Sequence, residues 1–326
     1  MHYFLYPDCS ILIVELDCTL SMILVLIMLE DKMSQVAIVT DSTATIPDEM
    51  LKALKIHWVP YYIHRGNEVL RDLVSIKREE FYRWLPIARE LPKTANPGPG
   101  DYEALYEKIA TEEGNNEIIS IHMTSKNSGA YQAATIGRTA ILERLPQLRI
   151  EVIDTLNVSM CHGWAVIEAA RAALQGKSFD QILTRINFII PRAQMIQTAD
   201  TLKYLAMGGR IGKATSMLGS LLNIKPLIGM RDGVIVPLGK AFTRGSAYKM
   251  MAESVLKTAG AKGRVKIAYV HAAAREEVLK IKALIEGRIE VVEEIIVELP
   301  PALGVHSGPG TAGICFYPVE DGEVDD

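Results

Sequence analysis

Five stretches of this 326-residue chain set polar side chains beside glycine or proline, a combination that lets backbone and hydroxyl groups close on a small anion. In TSKNSGAYQAA, Asn127, Ser128 and Gly129 stand just before a helical run, so free amides and the positive helix end would meet a carboxylate or phosphate. Ser128 as a plain N-cap is the alternative. Thr94 opens TANPGPGDYEAL, where Pro and Gly stiffen a loop and Asp101 caps the next helix; its hydroxyl is placed to donate, or the loop is a simple turn. Ser42 lies in TDSTATIP, where helix capping is the simpler role. Arg210 leaves the Gly208-Gly209 helix end in TLKYLAMGGRIGKA, either to clamp an anion or to tie two elements together. His306, in LGVHSGPGTAGICFYP, precedes the turn formers Gly308, Pro309 and Gly310 and could be a catalyst, a metal ligand or a hook for a ligand.

The usual catalytic kits are missing. No Walker loop, no GxGxxG after the first strand, no GxSxG and no HExxH occurs. The seven histidines are dispersed and the four cysteines, Cys9, Cys18, Cys161 and Cys315, form no CxxC pair, so neither a metal nor a cofactor is expected. A net charge of -4 offers no basic field for nucleic acid or anionic lipid. Hydroxyls, one histidine and helix N-termini bind an anion more readily than they attack one. The cysteine pattern fits a reducing, cytoplasmic setting.

These residues need elements to hold them, and the pattern is α/β. Short β-branched runs predict strands at Val36–Thr40, Ile56–Ile63, Ile118–His122 and Ile150–Ile153. Helices are predicted at Glu49–Leu54, Ile76–Leu85, Asp101–Glu112, Ala130–Leu145, Cys161–Gln175 and Phe179–Ile190. Pro191 marks a domain boundary. Beyond it, Asp232-Gly233 predicts a hairpin between Lys225–Met230 and Val234–Lys240, which implies a mixed or antiparallel sheet. A helix at Gly245–Gly260, a strand at Val265–Val270, a helix at Arg275–Glu286 and strands at Ile289–Glu298 and Gly313–Tyr317 complete it. The expected domains are residues 33–190 and 191–320, with a ligand site in the cleft between them and an acidic tail at 321–326.

The first 32 residues are read as an extension outside the fold. Ile11 to Leu29 is nearly long enough to cross a bilayer, but no Lys or Arg precedes it, and Glu15 and Asp17 lie inside the run. Met33, directly before SQVAIVTDST, is the expected natural start.

Seven motifs in order resemble those of the DegV family: TDST at Thr40–Thr43, Thr94 to Tyr102, TSKNSGAYQAA, IDTLNVSMCHG from Ile153, LKYLAMGGRIG from Leu202, LLNIKPL from Leu221 and HSGPGTAGICF from His306. The resemblance runs from about Gln35 to Pro318. It implies two α/β domains, the first with a mostly parallel sheet and the second with a mixed or antiparallel one, holding a long-chain fatty acid in a tunnel between them. It further implies a bacterial, cytoplasmic acyl-binding subunit that presents the fatty acid to a separate kinase subunit for conversion to acyl phosphate, touching membrane only transiently. By motif, Thr94, Ser128, Gly129 and His306 would meet the carboxylate, while Ser42, Asn127, Arg210 and Arg244 would stand behind it or dock a partner.

Two departures stand out. Ala95 and Asn96 replace the serine and glutamine common in relatives, and Phe242 occupies a commonly basic position, which weakens the case for kinase docking. Two other readings remain: a stand-alone hydrolase or phosphotransferase using His306 with Ser128, and a lipid-responsive regulatory protein.

Overall fold

The computed structural model describes residues 36–260 and 263–320. The apolar N-terminal stretch, the Met33 start and the acidic tail lie outside the described residues. The chain runs β1 (Ala37–Asp41), α1 (Asp48–Ala53), β2 (His57–Val59), β3 (Tyr62–Arg65), β4 (Glu68–Arg71), α2 (Arg78–Trp84), β5 (Lys93–Ala95) and α3 (Pro99–Glu112). Next come β6 (Glu117–His122), α4 (Ala130–Arg144), β7 (Arg149–Asp154), α5 (Met160–Leu174), α6 (Phe179–Ile189), β8 (Gln194–Thr198) and α7 (Lys203–Met207). The last part holds β9 (Lys225–Arg231), β10 (Val234–Ala241), α8 (Arg244–Ala259), β11 (Arg264–His271), α9 (Arg275–Ile285), β12 (Glu290–Glu298), α10 (Pro301–Ser307) and β13 (Ala312–Val319).

Two main sheets carry the fold. The first, ordered β2-β1-β6-β7, is wholly parallel. Its inner strands read as near-continuous apolar runs because helices cover both faces, and all five residues of β1 are buried. The second, ordered β10-β9-β8-β13-β11-β12, is antiparallel except for the β11–β12 pair. The expected α/β class with one parallel and one mixed sheet is what the chain adopts. Asp232 and Gly233 both take positive φ, 52° and 80°, so the β9–β10 connection is the two-residue turn that Asp-Gly favours.

Several elements differ from expectation. Ile56–Ile63 is not one strand: Pro60, which has no N–H to give a ladder, separates β2 from β3, and the two enter different sheets. β3, β4 and β5 form a small antiparallel sheet that the sequence reading missed, although Gly66-Asn67 is a two-residue hairpin signal. β4 has no buried residue, so it carries no apolar alternation to detect. Thr94 therefore lies on β5, paired with Ile63, and not in a loop. β8 was missed because two of its five residues are glutamines, yet it sits between β9 and β13. α10 lies in a stretch for which no element is predicted, since it holds Pro and Gly. Pro301 is tolerated in the first helical turn, and Gly308, at φ 74°, ends it.

One helix joins the sheets. α5 is buried on nearly every side, and a single apolar cluster includes Ile38 and Ile121 of the first sheet, Trp164 of α5, and Val270 and Tyr317 of the second. Trp164 Nε1 donates to the Cys315 carbonyl at 3.1 Å. Glu168, 6% exposed, faces Lys266 of β11 at 2.7 Å and also pairs with Arg171 and Arg185. Burial opposes its ionisation, but these three cations hold its carboxyl below the ordinary glutamate range.

Candidate functional site

The loops after β1 and β6 open at the carboxyl ends of parallel strands, where α/β sheets place ligands. They face β8, β10, α7 and α10 across a narrow cavity of about 110 Å3. One part of its wall is polar, with Thr43, Tyr61, Thr94, Asn96, Ser128 and His306. Much of the remainder is apolar, supplied by Met123, Met195, Leu205, Ile235, Leu299 and Leu303.

Each polar group is held from behind. Ser42 Oγ accepts from the Tyr61 amide at 3.1 Å, and the Tyr61 hydroxyl shares a 2.6 Å hydrogen bond with Ser128 Oγ. Burial pushes the Tyr61 phenol well above its usual range, so it stays protonated. Ser128 Oγ also accepts from the Ala130 amide at 3.2 Å. It is not the helix N-cap; that residue is Gly129, whose Cα packs where an added Cβ would lie 2.9 Å from Asn96 Oδ1. Thr94 Oγ1 lies 2.8 Å from His306 Nε2.

His306 occupies the last turn of α10, not a mobile-looking hinge of Gly and Pro. Burial, followed by the charge of Arg210, pushes its pKa down to about 4, so the imidazole is neutral at pH 7. Its Nδ1 packs against Gly208, and both His306 and the neighbouring Ser307 line the cavity.

Of the residues singled out by sequence, Thr94, Asn127, Ser128, Arg210 and His306 meet at the cavity. Gly129 and Ser42 are not among its lining residues; each stands behind one. Arg210 Nη1 donates to the Gly208 carbonyl at 2.8 Å and its Nε to the Asn127 carbonyl at 3.5 Å, so it ties elements together and also places a cation at the wall. Arg244 lies elsewhere: it is locked to Asp200 at 2.6 Å and to the Gly310 carbonyl at 2.8 Å. Phe242 is 83% exposed. Sequence reasoning missed Thr43, Tyr61, Asn96 and Ser307. Asn96 was noted only as standing where relatives carry glutamine, not as a side chain that would reach this wall.

A second constellation was invisible in the sequence. His122 Nδ1 donates to Asp41 Oδ2 at 2.9 Å, and His122 Nε2 lies 2.7 Å from Ser120 Oγ. The order Ser–His–Asp imitates a hydrolase triad, but Ser120 and His122 are fully buried, and Ser120 Oγ accepts the Tyr106 hydroxyl at 2.7 Å. No substrate atom can reach that oxygen, so the group braces β1 against β6.

A family model described as "Uncharacterised protein, DegV family" matches residues 35–319. A DegV domain-containing protein of Caldanaerobacter subterraneus is 31% identical over 284 residues, covering 87% of this chain and 99% of that one. Another from Clostridium acetobutylicum is 32% identical, with 87% and 99% covered. Among solved structures, a fatty-acid-binding DegV family protein from Thermus thermophilus superposes with a TM-score of 0.80 at 26% identity, covering 87% of this chain and all of that one. DegV of Bacillus subtilis, a fatty acid binding protein, gives 0.77 at 28% identity over 88% of this chain and 100% of its own. Matched nearly end to end by both the family model and these relatives, the chain belongs to the DegV family.

Proposed function

We propose that this protein binds a long-chain fatty acid, with the carboxylate at Thr94, Ser128 and His306 and the acyl chain along the apolar wall. The observation that carries the reading is the cavity itself: grouped hydroxyls and an imidazole next to a wall of Met, Leu and Ile. Relatives from Thermus thermophilus and Bacillus subtilis that bind fatty acid support it. Neutral hydroxyls can hold a carboxylate or its phosphorylated form, and Arg210 is the cation nearest to hand. Burying a C16 chain at about 0.8 kcal/mol per methylene gives roughly 12 kcal/mol before ordering costs. Methionines at two wall positions can change rotamer as the chain enters.

The finer reading is that the protein presents its fatty acid to a separate kinase subunit. Solvent-exposed Phe242 then offers an apolar rather than a basic contact to that partner. A stand-alone hydrolase is disfavoured, because Ser128 pairs with Tyr61 and His306 with Thr94, leaving no nucleophile–base pair between them.

Native mass spectrometry with lipid extraction tests the reading: one fatty acid per chain is expected. Protein that is empty and takes up no labelled palmitate would refute it. Ser128→Ala, which removes one head-group hydrogen bond worth about 1 kcal/mol, is expected to weaken palmitate binding roughly fivefold.

A further inference from the structure

Thr94, Arg210 and His306 have a second face. All three also line an outer cleft of about 590 Å3, completed by residues 89–93, Met207 and Gly208. They thus form a partition between the inner cavity and this cleft. Arg89 and Lys93 add two exposed cations on the outer side, against a single acid, Glu90. None of Arg89, Lys93 and Arg210 forms an ion pair with a described carboxylate. With Nε and Nη1 of Arg210 engaged, its Nη2 is left without a partner among the described residues. Unpaired cations converging on a concave surface concentrate anions there, and guanidinium with ammonium is the donor set for phosphoryl oxygens.

The geometry points to a phosphate-binding cleft on the outer side of the partition, where Arg89, Lys93 and Arg210 hold the phosphoryl oxygens of a ligand. Its use rests on the fatty-acid reading, since it would place a phosphoryl group across Thr94 and His306 from the carboxylate. Phosphate binding itself does not depend on that reading. The phosphate belongs either to a soluble phosphorylated compound or to a phospholipid head group.

Equilibrium dialysis of the full chain against labelled orthophosphate at fixed ionic strength tests it. Wild type is compared with Arg89→Ala, Lys93→Ala and the double variant, none of which alters a residue lining the inner cavity. One saturable site is expected, weakened at least fivefold by each single change and lost in the double variant. Displacement by ATP identifies a soluble ligand, and displacement by phosphatidylglycerol vesicles a lipid head group. No saturable orthophosphate binding, or unchanged binding in the double variant, overturns the proposal. Palmitate retention measured on the same samples separates that failure from failure of the fatty-acid reading.

Discussion

Of the two adjacent glycines after α7, one makes room for His306 and the other ends the helix. Gly209 takes φ 70°, the left-handed conformation that ends α7, whereas Gly208, at φ -76°, has no such need. What Gly208 supplies is space: an added Cβ would lie 2.2 Å from His306 Nδ1. Gly208→Ala is therefore expected to push the imidazole off Thr94 and raise the palmitate off-rate several-fold, as for the loss of one hydrogen bond of about 1 kcal/mol. Gly209→Ala should instead cost about 1–2 kcal/mol of stability through backbone strain, with palmitate retention unchanged in the folded fraction. Stopped-flow displacement and thermal unfolding of the two variants distinguish the roles; equal off-rates in Gly208→Ala and wild type would remove Gly208 from the site.

At the scale of elements, the helix carrying His306 is tied at its start to a buried acid. Asp72 Oδ1 accepts from the Ala302 amide of α10 at 3.2 Å. Burial outweighs its hydrogen bonds to Ser42 and Ala302 and the nearby Arg78 charge, pushing the pKa up to about 6. A carboxyl raised in the folded state stabilises fully below its unfolded value near 4, and that contribution is lost as pH rises through 6. The cost of the ionised form at neutral pH is on the order of 3 kcal/mol. Asp72→Asn, which keeps an acceptor for Ala302, is expected to melt above wild type at pH 8, with the gap closing toward pH 4. A gap that does not change with pH would show that Asp72 ionisation is not responsible.

Across the whole molecule, α5 makes the two sheets one cooperative unit. Removing Trp164, which is fully buried between them and bonded to the Cys315 carbonyl, is expected to cost about 3–5 kcal/mol. Glu168→Ala should cost less, about 1–3 kcal/mol, because Lys266, 10% exposed, keeps Glu293 at 3.3 Å. Both variants should still unfold in a single transition by circular dichroism and tryptophan fluorescence. Separate transitions for the parallel and mixed sheets would contradict the shared core.

Much of the architecture was legible in the chain itself. Short β-branched apolar runs, the Asp-Gly turn and long helical stretches have local causes, and these predicted an α/β chain whose second sheet is mixed or antiparallel; the parallel first sheet was implied by the family resemblance. Thr94, Ser128 and His306 were legible as anion-binding types from the glycines and prolines around them. What the sequence left open were partners far apart in the chain: Tyr61 on Ser128, 67 residues away, and His306 on Thr94, 212 residues away. Nothing local distinguishes Tyr61 from any core tyrosine, or Asn96 and Ser307 from ordinary turn residues. Only the tertiary structure decided which hydroxyls share one wall, that Gly208 is small for the sake of an imidazole, and that Arg244 belongs to a distant ion pair. Those outcomes are set by how α5, α7 and α10 pack between the sheets, and packing is a property of residues that meet in space, not of neighbours in sequence.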